Sequence, residues 1–195
     1  MATQSERRQA TQAAILKAAK RLFGERGFTA TTIDDVAASA RVAKGAVYHH
    51  FETKEALFET VFDQTSQELL VEVDRVAGSE KDALSAMAKG TLAYFTACAK
   101  GPIGQIVLHD GPAILGWERW RAIDNRHFGG RFVIALTRAM EDGLIARQPV
   151  EPLSRLLLGA ITEAAIACSG RDLSRAGNDY ANAFRTLLDA LRLAR

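Results

Sequence analysis

Four side chains able to hold an anion or a base edge fall within seven residues: Lys44, Tyr48, His49 and His50. At helical spacing Val47 and Phe51 share one face, and these four occupy largely the others. Lys44 can neutralise a phosphate or donate to a guanine edge. Tyr48, His49 and His50 can each donate to a phosphate oxygen without carrying charge. Gly45, with no Cβ, lets a backbone come close to a ligand. The set suits nucleic-acid binding. For His50 the alternative is plain packing against the first helix.

The flanking residues supply what would position this set. Thr31 and Thr32 can cap a short helix whose first turn holds Asp34 and Asp35, with Ile33, Val36 and Ala37 on one face. The pattern breaks at Arg41-Val42 and restarts near Lys44, so Thr31 to Thr53 reads as a helix-turn-helix. The N-termini at Thr32 and Lys54 offer free backbone N–H groups suited to anions. A first helix is expected from Arg7 to about Arg26, ended by Gly27. Thr53 caps a fourth helix running from Lys54 to about Val76, roughly 35 Å long.

Beyond it the chain reads at a period near 3.6 throughout, so the fold is expected to be all-α. Ser79 and Asp82 suggest a capping box for a helix ending near Ala99. A short helix around Ile106 to His109 should precede a Gly-Pro turn. Trp117 to Asp142 reads as one long helix that can bend at Gly129-Gly130. Two helices close the chain, one from Pro152 towards Gly170 and one striped by Tyr180, Phe184, Leu187, Leu188 and Leu191.

Of 195 residues, 48% are hydrophobic and 25% charged, an ordinary globular composition able to bury a core. Net charge is only +2, but residues 1–55 hold nine Lys/Arg against six Asp/Glu, and the remainder 16 against 17. A basic N-terminal module on a near-neutral body fits nucleic-acid binding. Cys98 and Cys168, far apart in apolar patterns, read as reduced core thiols. A polar N-terminus and the lack of any apolar run near 18 residues lead us to expect a cytoplasmic chain with no membrane association and no secretory signal. There is no Gly-x-Ser-x-Gly elbow, Gly-rich phosphate loop or His-Glu-x-x-His, so a small helical enzyme is the weaker alternative. His109, Asp110 and His127 match no metal-ligand spacing, and no metal or cofactor is expected.

From Ile15 to Phe58 the run ILKAAKRLFGERGFTATTIDDVAASARVAKGAVYHHFETKEALF closely resembles the DNA-binding domain of TetR/AcrR-type transcriptional regulators. The first-helix pattern, Gly-Phe turn, Thr-Thr cap and K-G-x-x-Y-x-H-F-x-x-K occur in register. The resemblance implies a three-helix DNA-binding domain over residues 1–52 and a ligand-binding, dimerising domain over 53–195. It places Lys44, Gly45 and Ala46 where base and backbone contacts are made, with Tyr48, His49 and His50 beside them and Thr32 and Lys54 facing phosphate. Two positions depart from the pattern. Arg41 stands where glycine is frequent, at a cost on the order of 1 kcal/mol if its φ is positive, unless it gains a phosphate contact. Ala43 stands where a hydroxyl residue is frequent, so the third helix lacks a side-chain cap.

A reader this short needs two copies on a roughly palindromic double-stranded operator. Leu156, Leu157, Ala160, Ile161 and Ala164, with Tyr180, Phe184, Leu187, Leu188 and Leu191, are candidates for a homodimer seam; alternatively they serve only their own subunit's core. Candidates for a small-molecule pocket are Phe62, Met87, Thr91, Phe95, Trp117, Trp120, Arg121, Phe128 and Thr162, a mix suited to an apolar or aromatic effector. The expected function is a repressor released by that effector, with His109 to Gly116 as coupling element. An activator or a ligand-independent regulator would carry the same DNA domain.

Overall fold

The computed structural model describes residues 3–99, 102–168 and 173–193, which form ten α-helices with no β-strand among them. Helix α1 (Gln4–Ala30) starts earlier than expected because Thr3 and Glu6 cap one another reciprocally. It breaks at Gly27, whose φ is 77°. The buried Thr31 hydroxyl then donates to the Gly27 carbonyl at 2.9 Å, occupying an orphan acceptor of the helix end. Helices α2 (Ile33–Ala40) and α3 (Lys44–His50) follow, and α4 (Lys54–Ala77) begins at the Thr53 cap.

These elements share one core. Phe23, Phe28 and Phe58 meet with ring centroids 5.2 to 5.7 Å apart, surrounded by the buried Ile15, Val36, Val47 and Leu57. With 24 residues, α4 spans about 36 Å. Its first turns belong to that core, while Leu69 and Leu70 are buried further along.

Helix α5 (Ala83–Ala99) is capped by Asp82, which takes the Ser85 N–H at 2.9 Å. Ser79 instead donates to the Val76 carbonyl, so the expected Ser79 cap is corrected to Asp82. The Gly111-Pro112 turn is also corrected. Helix α6 (Pro102–Gly104), a wide π-helical turn (Gln105–Asp110) and α7 (Gly111–Asp124) run on without a turn there, and Pro112 is taken up in the first turn of α7 directly after the widened one. The break falls at Gly116 (φ 72°), a left-handed backbone that suits only glycine well. A second π-helical turn (Asn125–Gly129) joins α7 to α8 (Gly130–Glu141), close to the expected bend. Helices α9 (Val150–Cys168) and α10 (Leu173–Ala190) complete the body, with α10 packed most extensively on α5. Both cysteines are buried, as expected of core thiols.

Candidate functional site

The α2–α3 pair presents a polar surface outwards. Thr32 caps α2 by accepting the Asp35 N–H, and the Asp35 carboxylate takes first the Thr32 hydroxyl and then the Thr32 N–H, which hold its pKa below the ordinary carboxylate value. The turn residue Arg41 has φ 58° and ψ 43°, and among non-glycine residues described only Arg41 has positive φ. Its side chain is exposed. Ala43 makes no side-chain cap to α3. Val47 is fully buried and anchors the helix, leaving Lys44, Gly45, Tyr48 and His49 exposed and Ala46 and His50 partly buried.

A Cβ added at Gly45 would meet nothing within 4 Å, so no neighbour in the chain requires glycine there. Lys44 is paired with Asp34 at 3.0 Å, which raises its pKa. His50 has a lowered pKa, first from burial and then from His49 and Arg8, so α3 ends near Arg8 of α1. Lys54 lies over the Phe28 ring, 4.0 Å from its centroid.

The body grips this reader at the Gly27 break. The Asp110 carboxylate accepts the Phe28 N–H at 2.7 Å and the Gln105 amide at 3.1 Å. One turn earlier, a Cβ on Gly24 would stand 1.9 Å from the Pro102 Cβ, so α1 and α6 touch with no room for a side chain. Along α4, Glu59 pairs with Arg119, Asp63 with Arg126 and His127, and Asp74 with Arg131. His109–Asp110 and His127 are therefore not gathered into one site, and no metal-binding group of three His, Cys, Asp or Glu occurs among the described residues.

A cavity of about 440 Å³ opens between the far end of α4, α5, the second π-turn with α8, and α9. Met87, Thr91, Phe128 and Thr162 line it, together with Tyr94, Asp124, Phe132, Leu158 and Ile161. The other expected pocket residues lie elsewhere. Phe62 fills the space against Gly111, Phe95 packs on Gly177, and the Trp120 indole donates to the Val107 carbonyl at 3.3 Å. Trp117 is half exposed, with Arg121 over its ring. Tyr94, which was missed, was readable: Met87, Thr91 and Tyr94 follow one face at spacings of four and three, and Phe95 is rotated off it. Asp124, four residues before Phe128, carried the same signal.

The expected seam divides into two faces. Leu157, Ile161, Ala164, Phe184 and Leu188 are buried within the subunit, and Leu191 partly so. Leu156 (72% exposed), Ala160, Tyr180 and Leu187 (52% exposed) point outwards, with Ile166 and Ala183 beside them. No helix among the described residues is long and apolar enough to cross a membrane.

The chain matches the family model of bacterial regulatory proteins, tetR family, over residues 15–61, and that of the Tetracyclin repressor-like, C-terminal domain over residues 84–191. It is 26% identical over 171 residues to the Transposon Tn10 TetC protein of Escherichia coli, covering 84% of this chain and 82% of that one. A TetR-family transcriptional regulator of Pectobacterium atrosepticum superposes with a TM-score of 0.87 at 27% identity over 99% of both chains. RolR, solved in complex with resorcinol, shares the fold with a TM-score of 0.75 at 18% identity, covering 94% of this chain and 90% of RolR. With both halves of the chain matched and the reader helix, connecting helix and body in the expected order, this protein belongs to the TetR family of bacterial transcriptional regulators.

Proposed function

We propose that the chain is a homodimeric, cytoplasmic repressor that leaves a two-fold-symmetric operator when a small, largely apolar molecule fills the cavity. The carrying observation is the layout along α4. One unbroken helix has its first turns in the reader core and its last turns in the cavity wall, where Val73, Asp74 and Ala77 lie. Residues 1–52 then act as the DNA-binding unit and 53–195 as the sensing and dimerising unit. Arg41, Lys44, Tyr48 and His49 contact phosphate or bases, Gly45 and Ala46 admit the DNA surface, and the Thr32 and Lys54 helix starts face phosphates. Lys44 must exchange Asp34 for DNA, so free operator binding includes the loss of that pair.

The outward apolar face of α9 and α10 (Leu156, Ala160, Tyr180 and Leu187) would pack on its copy as a four-helix bundle, setting the two α3 helices one DNA turn apart, about 34 Å. Effector binding favours a body state with the wrong α3 separation, and DNA and effector then weaken each other reciprocally. No catalytic role is assigned to any residue. Selection of duplexes from random sequence, followed by screening for molecules that release the selected site, tests the reading. Recovery of an inverted repeat and its release by an apolar compound is expected; a site bound identically with every compound, or no enriched site, contradicts it.

A further inference from the structure

Asp124 is the only carboxylate buried among the described residues, at 8% exposure. It borders the cavity beside Thr91, Tyr94, Phe128 and Thr162. Among the described residues no hydrogen bond reaches the Asp124 carboxylate, and no described polar side-chain atom is both sealed and unpaired, so this carboxylate stays accessible at the cavity wall. Burial pushes its pKa up to about 6, with Arg121 and His127 on its own stretch of helix pulling the other way through space. Near neutral pH it is therefore mostly ionised, with through-space attraction but no hydrogen-bonded cation among the described residues, an arrangement in a largely apolar chamber that favours a counter-ion from outside.

The other charges near it are committed or silent. Arg131 is held by Asp74 at 2.7 Å, Glu80 by Lys89 at 2.7 Å and Asp82 by Arg192 at 2.9 Å. Arg138 faces Asp142, and Lys81 is exposed at the rim. From α5, Tyr94 and Cys98 face Asp124, and both are pushed up by burial, so neither ionises at neutral pH. His127 is engaged by Asp63 at 2.7 Å. The walls offered by Met87, Tyr94, Phe128 and Phe132 suit a flat or flexible hydrocarbon body, and aromatic faces also favour a cation.

We propose that the cavity takes a small apolar amine whose ammonium group pairs with Asp124 while its hydrocarbon body packs on Met87, Phe128, Phe132 and Leu158. This rests on the cavity being the effector site. The test compares 4-phenylbutylamine, 4-phenylbutanol and 4-phenylbutyrate, which share one body and differ in the charge of the head, by calorimetric titration of the full chain at pH 7.5. The amine should bind on the order of tenfold or more tighter than the alcohol, with the acid weakest. Asp124→Asn, close in shape and lacking the charge, should bring amine and alcohol to similar affinity while keeping alcohol binding. In the wild type the amine's advantage should shrink as pH falls from 7.5 to 5. Equal affinities for amine and alcohol in the wild type, an advantage that survives Asp124→Asn, or no binding by any of the three overturns the proposal. Operator binding measured in parallel separates the two readings. Asp124-dependent amine binding that leaves DNA affinity unchanged sinks regulation and keeps the site; release by another compound that ignores Asp124→Asn sinks the site and keeps regulation.

Discussion

Asp110 ties the sensing body to the DNA reader through a charged hydrogen bond to the Phe28 backbone, and Asp110→Ala removes it. The substitution deletes a charged acceptor 2.7 Å from the Phe28 N–H and 3.1 Å from the Gln105 amide. A hydrogen bond to a charged group contributes about 1.5–3 kcal/mol, and the loss is at the upper part of that range when the donor is left buried. Phe28 is 8% exposed and wedged between Phe23 and Phe58, so its N–H has little access to water once Asp110 is gone. A cost of about 2–3 kcal/mol corresponds to a melting temperature lower by about 4–12 °C for a chain of this size. Asp110→Asn keeps an acceptor oxygen and loses the charge, so it should fall in between. Thermal unfolding followed by amide hydrogen exchange reads both parts, since the Phe28 N–H should exchange faster in Asp110→Ala. Operator binding without effector should survive, because the reader keeps its own core, while release by effector weakens. A shift under about 1 °C with unchanged Phe28 exchange refutes the latch.

Three further outcomes follow from single residues. Gly45→Ala should stabilise α3 by about 1 kcal/mol through helix propensity and still weaken operator binding, because the new methyl occupies space open only to an outside partner; a melt and an anisotropy titration check both, and unchanged DNA affinity refutes the assigned close approach. Arg41→Gly should remove a left-handed backbone cost of about 1 kcal/mol, partly offset by glycine's freedom in the unfolded chain. If Arg41 touches a phosphate, the slope of log affinity against log salt becomes shallower by about one, and an identical slope removes that role. For Asp124 the folded pKa of about 6 lies above the ordinary 3.8, so the folded state holds the proton more tightly. Its contribution is fully present below about pH 4 and is lost as pH rises through 6, up to about 3 kcal/mol. Asp124→Asn should therefore be more stable than wild type at pH 7.5 and lack that part of the pH dependence; denaturant titrations at pH 4.5 and 7.5 would expose the opposite sign.

The reader was legible in the sequence because its signals are local. Thr32 and Thr53 cap helices through backbone N–H groups three residues on, Gly27 breaks α1 where its freedom allows, and Val47 is the one apolar residue α3 has to bury. Arg41 at positive φ and Ala43 without a cap were both readable from departures in an otherwise regular pattern. Ser79 and Asp82 are rival caps three residues apart, and Asp82, which takes the role, is also held by Arg192 from the far end of the chain, a pairing that no local pattern encodes. Gly111-Pro112 reads as a turn, yet proline is equally at home in a first helical turn, and the break moved to Gly116. The cavity was half legible. The spacing that sets Tyr94 and Asp124 beside Met87, Thr91 and Phe128 is present in the sequence but went unread, because residue type drew attention to Phe62, Phe95 and the tryptophans, which fill core or surface. In α9 and α10, hydrophobicity alone could not separate the face serving the subunit's own core from the outward one, because both are apolar.

Fluorescence anisotropy on the duplex selected from random sequence, titrated beside a base-shuffled duplex at several salt concentrations, tests the central claim most directly. Sequence-specific binding predicts a selected site held at least about 10³-fold more tightly than the shuffled one at physiological salt, two chains per duplex, and a preference lost in Lys44→Ala combined with Tyr48→Ala. Equal affinity for both duplexes, falling together with salt, would contradict it and leave only a basic surface that meets DNA without reading it.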